Sequence, residues 1–313
     1  MLQSVLSQLA AMFMMVGTGY LVAKKGIVSE RFQSDLAELV LWVALPCSIV
    51  ESGTLDSGPD ALNSILWMTA LSVASYALVI LATELFSRRM CLKGSRNGVF
   101  KCLIVFANTA FVGYPVCSLL LGSKGVFYAS FFNMIFSLFF FTYGVKRISG
   151  RVGGFRILFT QDPGMAATVV MLILFAAQWK PPELIRTFLS TVGATCTPLS
   201  MFVVGCMLTR VNVRQLLREK SYYALAAFRL LAVPLFALLV MLPLVKLGVD
   251  KDIIFAVIIM CAMPAGSLTA IYSEKYGADA SYASGGIVHT MICFALSLPM
   301  VILTAKWALY GGA

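Results

Sequence analysis

Histidine occurs once in the 313 residues, at position 289, and only 12% of the residues are charged. A soluble domain of this size carries about twice that charge. The single histidine, with no CxxC pair among eight cysteines, leaves nothing from which to build a zinc site or a Cys–His nucleophile. The scattered cysteines (47, 91, 102, 117, 196, 206, 261 and 293) read as small apolar filler. HExxH, GxGD and Walker A motifs are absent, so no enzymatic reading and no resident cofactor or metal is expected. A positively charged leader is missing too. The first basic residue is Lys24, after the first apolar run, so residues 2–23 are expected to stay as a membrane span.

What is abundant is apolar: 60% of the chain, in runs of the length a helix needs to cross a ~30 Å hydrocarbon core. The expectation is an all-α polytopic membrane protein with spans near 2–23, 35–52, 63–86, 99–120, 125–145, 163–179, 188–209, 222–245, 252–273 and 282–308. The net charge of +10 does not signal nucleic acid, because the basic residues sit in short loops at span ends. Seventeen of the 24 Lys and Arg fall in the odd-numbered loops, six fall on the other side, and Arg229 lies inside the eighth span. The bias places the odd loops in the cytoplasm of a cell-membrane protein, with both termini outside. The cluster from Arg88 and Arg89 to Lys101 is then a topology determinant that also suits anionic lipid.

The spans repeat. Pro46-Cys-Ser48 to Gly53 and Pro198-Leu-Ser200 to Gly205 share P-x-S-x4-G at an offset of 152, and Tyr-Ala-Ser recurs at Tyr128 and Tyr282, offset 154. Two five-span halves follow, 1–145 and 163–313, joined by a short cytoplasmic linker at 146–162. Five is odd, so the second half enters the membrane in the opposite sense. Spans four and nine then correspond. The former carries FANTAFVGYPV (106–116), with Asn108, Thr109, Gly113 and Pro115; the latter carries MPAGS (263–267), with Pro264, Ala265, Gly266 and Ser267. Proline removes a backbone donor and crowds the preceding turn, which lipid tolerates only where protein or a wet cavity satisfies the freed groups. Paired breaks in corresponding spans point to a substrate site, where helix starts present N–H groups to an anion.

Other polar residues add candidates, several with competing readings. Asn108 is a ligand group or interhelical glue. Ser48 and Ser200 complete a pocket from spans two and seven. Glu51 is a coupling carboxylate or an interfacial charge. Arg229 pairs an anionic substrate, stabilises the break, or snorkels to the interface. His289 relays protons or packs by hydrogen bonding, and Asn133 is a lesser candidate of the same kind.

LPCSIVESG (45–53), FANTAFVGYPV, TPLSMFVVG (197–205), the Arg229-to-Pro234 pattern and MPAGSLTAIYSEKYGADASYAS (263–284) together resemble the auxin efflux carrier family over essentially the whole chain. The resemblance implies a ten-helix inverted-repeat fold shared with bile-acid symporters, spans four and nine crossing at mid-membrane, and homodimers. It implies secondary transport of small organic anions of the auxin, malate or malonate class, with H⁺ or Na⁺ as coupling ion. It places Asn108 and Pro115 at the first crossing and Pro264 at the second. Ala110 stands where the family often has glycine, and the long hydrophilic loop of the plant carriers is missing. A sodium-coupled symporter of the same fold and a membrane sensor without flux are the competing readings.

Overall fold

A computed structural model describes residues 2–54, 61–90, 92, 94–150, 162–179, 181–210, 216 and 218–311. Most of the 146–162 linker lies outside them, as do Asp56, Cys91, Lys93, Arg151, Arg156, Lys180 and Arg214. The described residues are all-helical, and six helices are long and apolar enough to cross a membrane. In chain order the helices are α1 (Leu2–Lys24), α2 (Glu30–Ser52), α3 (Ala61–Ser87), α4 (Ser95–Val105), α5 (Thr109–Ser149), α6 (Pro163–Ala177), α7 (Glu183–Met207), α8 (Lys220–Leu247), α9 (Lys251–Ala262), α10 (Leu268–Lys275) and α11 (Ala280–Tyr310). Spans expected at 99–120 and 252–273 are both discontinuous, broken after Val105 and after Ala262. The turn expected between spans four and five is a kink inside α5 at Gly122, whose φ of 61° favours glycine.

Proline shapes the helices in a recurring way. One wide π-turn covers Val40–Ala44 before Pro46, another Thr109–Gly113 before Pro115, and a third Phe228–Ala232 before Pro234. Each ends two residues ahead of its proline. The ring crowds the carbonyl four residues back and supplies no N–H, so the preceding turn widens by one residue. In α2 and α8 the widened bonds are explicit: the N–H of Leu45 donates to Val40, and that of Val233 to Phe228. A widened turn rotates the side chains beyond it, and Arg229 lies inside the third.

The chain forms two compact units, each drawing segments from both halves of the sequence. The first comprises Met1–Thr69, Thr109–Met134 and Phe159–Arg210. There α1 packs against α7, and the contact depends on glycine. A Cβ on Gly19 would strike the Phe202 carbonyl of α7, and one on Gly205 would strike the Val16 carbonyl of α1. Small residues let membrane helices approach closely enough for van der Waals contact to replace the missing hydrophobic drive. Gly205→Val is therefore expected to destroy the folded protein, seen as loss of a monodisperse peak in detergent size exclusion. Gly17→Val should leave that peak intact, because nothing lies within 4 Å of a Cβ there.

The second unit comprises Ala70–Asn108, Ile135–Leu158 and Val211–Ala313. Its core is helix α9, buried from Ile253 to Ala262, and an aromatic cluster in which Phe106 meets Tyr76, Phe136 and Phe140 at centroid distances of 6.3, 5.6 and 5.0 Å. Several basic residues expected only to set topology also hold this unit together. Glu84 of α3 takes Lys101 at 2.7 Å and Arg147 at 2.5 Å, with the Tyr143 hydroxyl at 2.7 Å. Arg96 joins Asp279 at 2.7 Å and Glu219 at 3.8 Å, the residues that cap the starts of α11 and α8. Burial pushes the Asp279 carboxyl up, but the Tyr282 N–H and the Arg96 guanidinium outweigh it and hold it below the ordinary carboxylate value.

Candidate functional site

Two helix ends meet in the second unit. Helix α4 has 11 residues and α9 has 12, each about 16–18 Å long and so about half the hydrocarbon thickness. Beyond them Phe106–Asn108 and Met263–Gly266 run antiparallel, with Ala107 opposite Ala265. The Asn108 N–H donates to the Pro264 carbonyl at 2.7 Å, and the Gly266 N–H donates to the Phe106 carbonyl at 2.9 Å. This pair of bonds satisfies groups that two broken helices would otherwise expose in the membrane. The Ala265 N–H donates to the Thr290 hydroxyl of α11 at 3.1 Å. Glycine is required at 266 because a Cβ there would stand 2.7 Å from the Ala107 carbonyl oxygen.

Arg229 lies beneath the crossing and is 2% exposed. Its Nε donates to the Met263 carbonyl at 3.0 Å and its NH1 to the Ile104 carbonyl at 2.8 Å. Both acceptors are at the C-terminal ends of helices, where unsatisfied carbonyls concentrate partial negative charge. Among the described residues no carboxylate pairs with it, so the crossing retains a positive charge. Snorkelling is excluded by this geometry: the guanidinium is buried and points at the break.

In the first unit, Thr109 begins α5 and donates its hydroxyl to the Asn133 side-chain oxygen at 2.7 Å; both residues are buried. Gly113 and Pro115 follow in and just beyond the widened turn. The remaining first-unit candidates lie on other contacts. A Cβ on Gly193 would stand 2.9 Å from the Ser48 Cα, so Ser48 marks where α2 and α7 touch. Ser200 is fully buried, with its Oγ 3.9 Å from the Cys196 sulfur. Glu51, near the end of α2, accepts from Ser123 at 3.3 Å, just past the Gly122 kink.

His289 packs against the rings of Tyr222 and Tyr223, at 5.8 and 4.8 Å, and its buried Nε2 has no hydrogen-bond partner. Its neighbour in sequence, Thr290, is the residue that holds Ala265. Thr269, passed over in the sequence, stands in the first turn of α10 with a buried hydroxyl that lacks a hydrogen-bond partner. The available signal was its place two residues after Ser267, where first-turn N–H groups also lack intrahelical acceptors. Among the described residues no group of three His, Cys, Asp or Glu is placed to hold a metal ion.

A family model described as "membrane transport protein" matches residues 4–161 and 157–302. The chain belongs to the auxin efflux carrier family. Relatives of this family member include an uncharacterized transporter of Methanothermobacter thermautotrophicus, 23% identical over 294 residues, covering 93% of this chain and 95% of the relative. A second is an uncharacterized transporter of Methanocaldococcus jannaschii, 22% identical over 286 residues, covering 88% and 91%. This family member is accordingly a multi-pass membrane transporter, with a transported substrate and the lipid bilayer as its partners.

Proposed function

We propose that this protein is a secondary carrier of small organic anions, built as ten spans in two inverted five-span repeats and working by alternating access. The observation that carries the reading is the double-bonded crossing of 106–108 and 263–266, with an uncompensated arginine beneath it. Two helix C-termini converge on Arg229, and α5 and α10 each start within a few residues of the crossing along the chain. Helix starts favour negative charge by roughly 0.3–1 kcal/mol each, and more when partly buried. Asn108 supplies both a donor and an acceptor beside them, and the Ser267 and Thr269 hydroxyls supply more.

In this reading the anion sits against Asn108 and the start of α10, with Pro264, Ala265 and Gly266 shaping the backbone around it; Thr109, next to Asn108 in the chain, starts α5, where Gly113 and Pro115 follow. Arg229 favours negative charge through the crossing without touching the ligand. Ser48 and Ser200 belong to helix contacts that support the pocket, and His289 is a packing residue. The protein lies in the cell membrane with both termini outside and forms homodimers. A sensor without flux is the reading that transport assays exclude directly.

Purified protein in liposomes should take up one or more of malate, malonate, pyruvate and indole-3-acetate with saturable kinetics. Absence of saturable flux for a broad anion panel would overturn carrier function. Asn108→Ala should cut uptake at least about tenfold, the loss of one or two hydrogen bonds to a charged group at roughly 1.5–3 kcal/mol. Its size-exclusion profile should not change; an unaltered rate and apparent affinity would remove Asn108 from the site.

A further inference from the structure

Helix α6 is short: 15 residues, about 22 Å, against a core of ~30 Å. Its N-cap is Asp162, whose Oδ1 accepts the Met165 N–H at 3.2 Å. The surroundings of this carboxylate place it deep. A Cβ on Gly164 would stand 3.1 Å from Asp162 Oδ1 and 3.4 Å from Asn133 Nδ2, so the two side chains flank the same glycine. Asn133 is ten residues beyond Ser123, where the second part of α5 begins, and hence about 15 Å along a spanning helix. Asn133 in turn holds Thr109, the residue that starts α5.

The rest of the cluster is polar and dry. The Tyr114 hydroxyl is buried without a hydrogen bond of good geometry. It lies close enough to Ser130, Thr168 and Asp162 to interact with each. Ser130 and Thr168 already donate to the backbone carbonyls of Val126 and Gly164, at 2.8 and 2.7 Å. Among the described residues, the titratable groups that act on Tyr114 are Asp162 and Cys196 of α7, and Ile49 of α2 lies against Gly164. Through Asn133 the carboxylate reaches Thr109, the residue after Asn108, and capping alone does not require a carboxylate here, since asparagine or serine caps a helix equally well.

We propose that Asp162 is the proton-coupling residue of this carrier. The proposal rests on the reading of an organic anion at the crossing. An anion against Asn108, the residue before Thr109, and an ionised Asp162 repel each other in a medium of low dielectric. Binding the anion therefore draws a proton from the adjoining water onto an Asp162 oxygen, and its departure releases that proton. By linkage, protonation raises anion affinity by the same factor, which makes the carrier an anion–proton symporter. Ionised and protonated Asp162 both accept from Met165, so the cap persists through the cycle.

The test uses the full-length protein in liposomes, with malate and indole-3-acetate as probes. One set, preloaded with unlabelled anion, measures exchange against labelled anion without a pH gradient. A second, empty and carrying an inward proton gradient, measures accumulation, with a lumenal pH dye reporting proton entry. Asp162→Asn keeps the cap and should exchange at the wild-type rate within about twofold. It should lose gradient-driven accumulation and anion-dependent proton entry, each at least about tenfold. Asp162→Glu should restore part of both.

Proton-driven accumulation by Asp162→Asn at the wild-type level would overturn the assignment and leave the carrier reading standing. So would accumulation by the wild type under a sodium gradient alone. Loss of exchange in a folded Asp162→Asn protein would make the residue part of the binding site and also overturn it. Failure of the wild type to exchange any of the anion panel would instead remove the carrier reading itself.

Discussion

Arg229→Met should lower the thermal unfolding midpoint of the detergent-solubilised protein by roughly 5–10 °C and reduce transport by at least about a hundredfold. The methionine fills a similar volume but donates nothing, so the Ile104 and Met263 carbonyls lose the donors they have at 2.8 and 3.0 Å. Each buried carbonyl stranded in this way costs roughly 1–3 kcal/mol, and a stability loss of a few kcal/mol moves the midpoint by degrees in a chain of this size. Transport should suffer more than stability does. The crossing is held by two backbone bonds, and its geometry positions both helix starts. Arg229→Lys separates the two contributions. Lysine keeps the charge but presents a point donor rather than a planar fork, so it reaches one carbonyl well and should retain part of the stability. If Arg229→Met folds and transports like the wild type, the arginine neither stitches the crossing nor sets its charge preference.

The second large effect is expected at Gly266. A single methyl group there meets the Ala107 carbonyl oxygen at 2.7 Å, well inside ordinary contact. That oxygen belongs to backbone rather than to a flexible side-chain tip, and the segment is pinned on both flanks by the Asn108–Pro264 and Gly266–Phe106 bonds. Gly266→Ala must therefore part the two segments or rotate one of them. Both responses displace the start of α10, and misplacement of a binding group by about 1 Å costs on the order of a hundredfold where orientation matters. The helices on either side are long-range packed and should keep the protein folded. The expected result is an intact elution profile with transport reduced at least about tenfold. Gly266→Ala with wild-type uptake would show that the close approach carries no functional constraint.

Much of this was readable along the chain. Hydropathy marks the spans because each must satisfy its own backbone in lipid, and Pro264 and Gly266 marked the second break, whereas the first, at 106–108, precedes Gly113 and Pro115, which lie in the first turns of α5. The pairing of Pro46 with Pro198, and of Tyr128 with Tyr282, is the basis of the proposed repeat, because motifs survive as linear patterns. The basic residues were harder to read. Arg96, Lys101 and Arg147 looked like topology markers or lipid contacts, yet each finds a carboxylate from another element.

What the sequence by itself determined is the class of protein, the family and the two spans in which helices stop. Only the tertiary structure decided what those stops are for. The acceptors of Arg229 are 34 and 125 residues away in the chain, and Thr109 meets Asn133 across 24 residues and a kinked helix. Asp162 was the last residue of the expected linker until Gly164 set it beside Asn133. Hydrogen-bond partners at such separations follow no periodicity. They are chosen by which helix ends the folded membrane protein brings together, where an unsatisfied polar group costs too much to leave exposed.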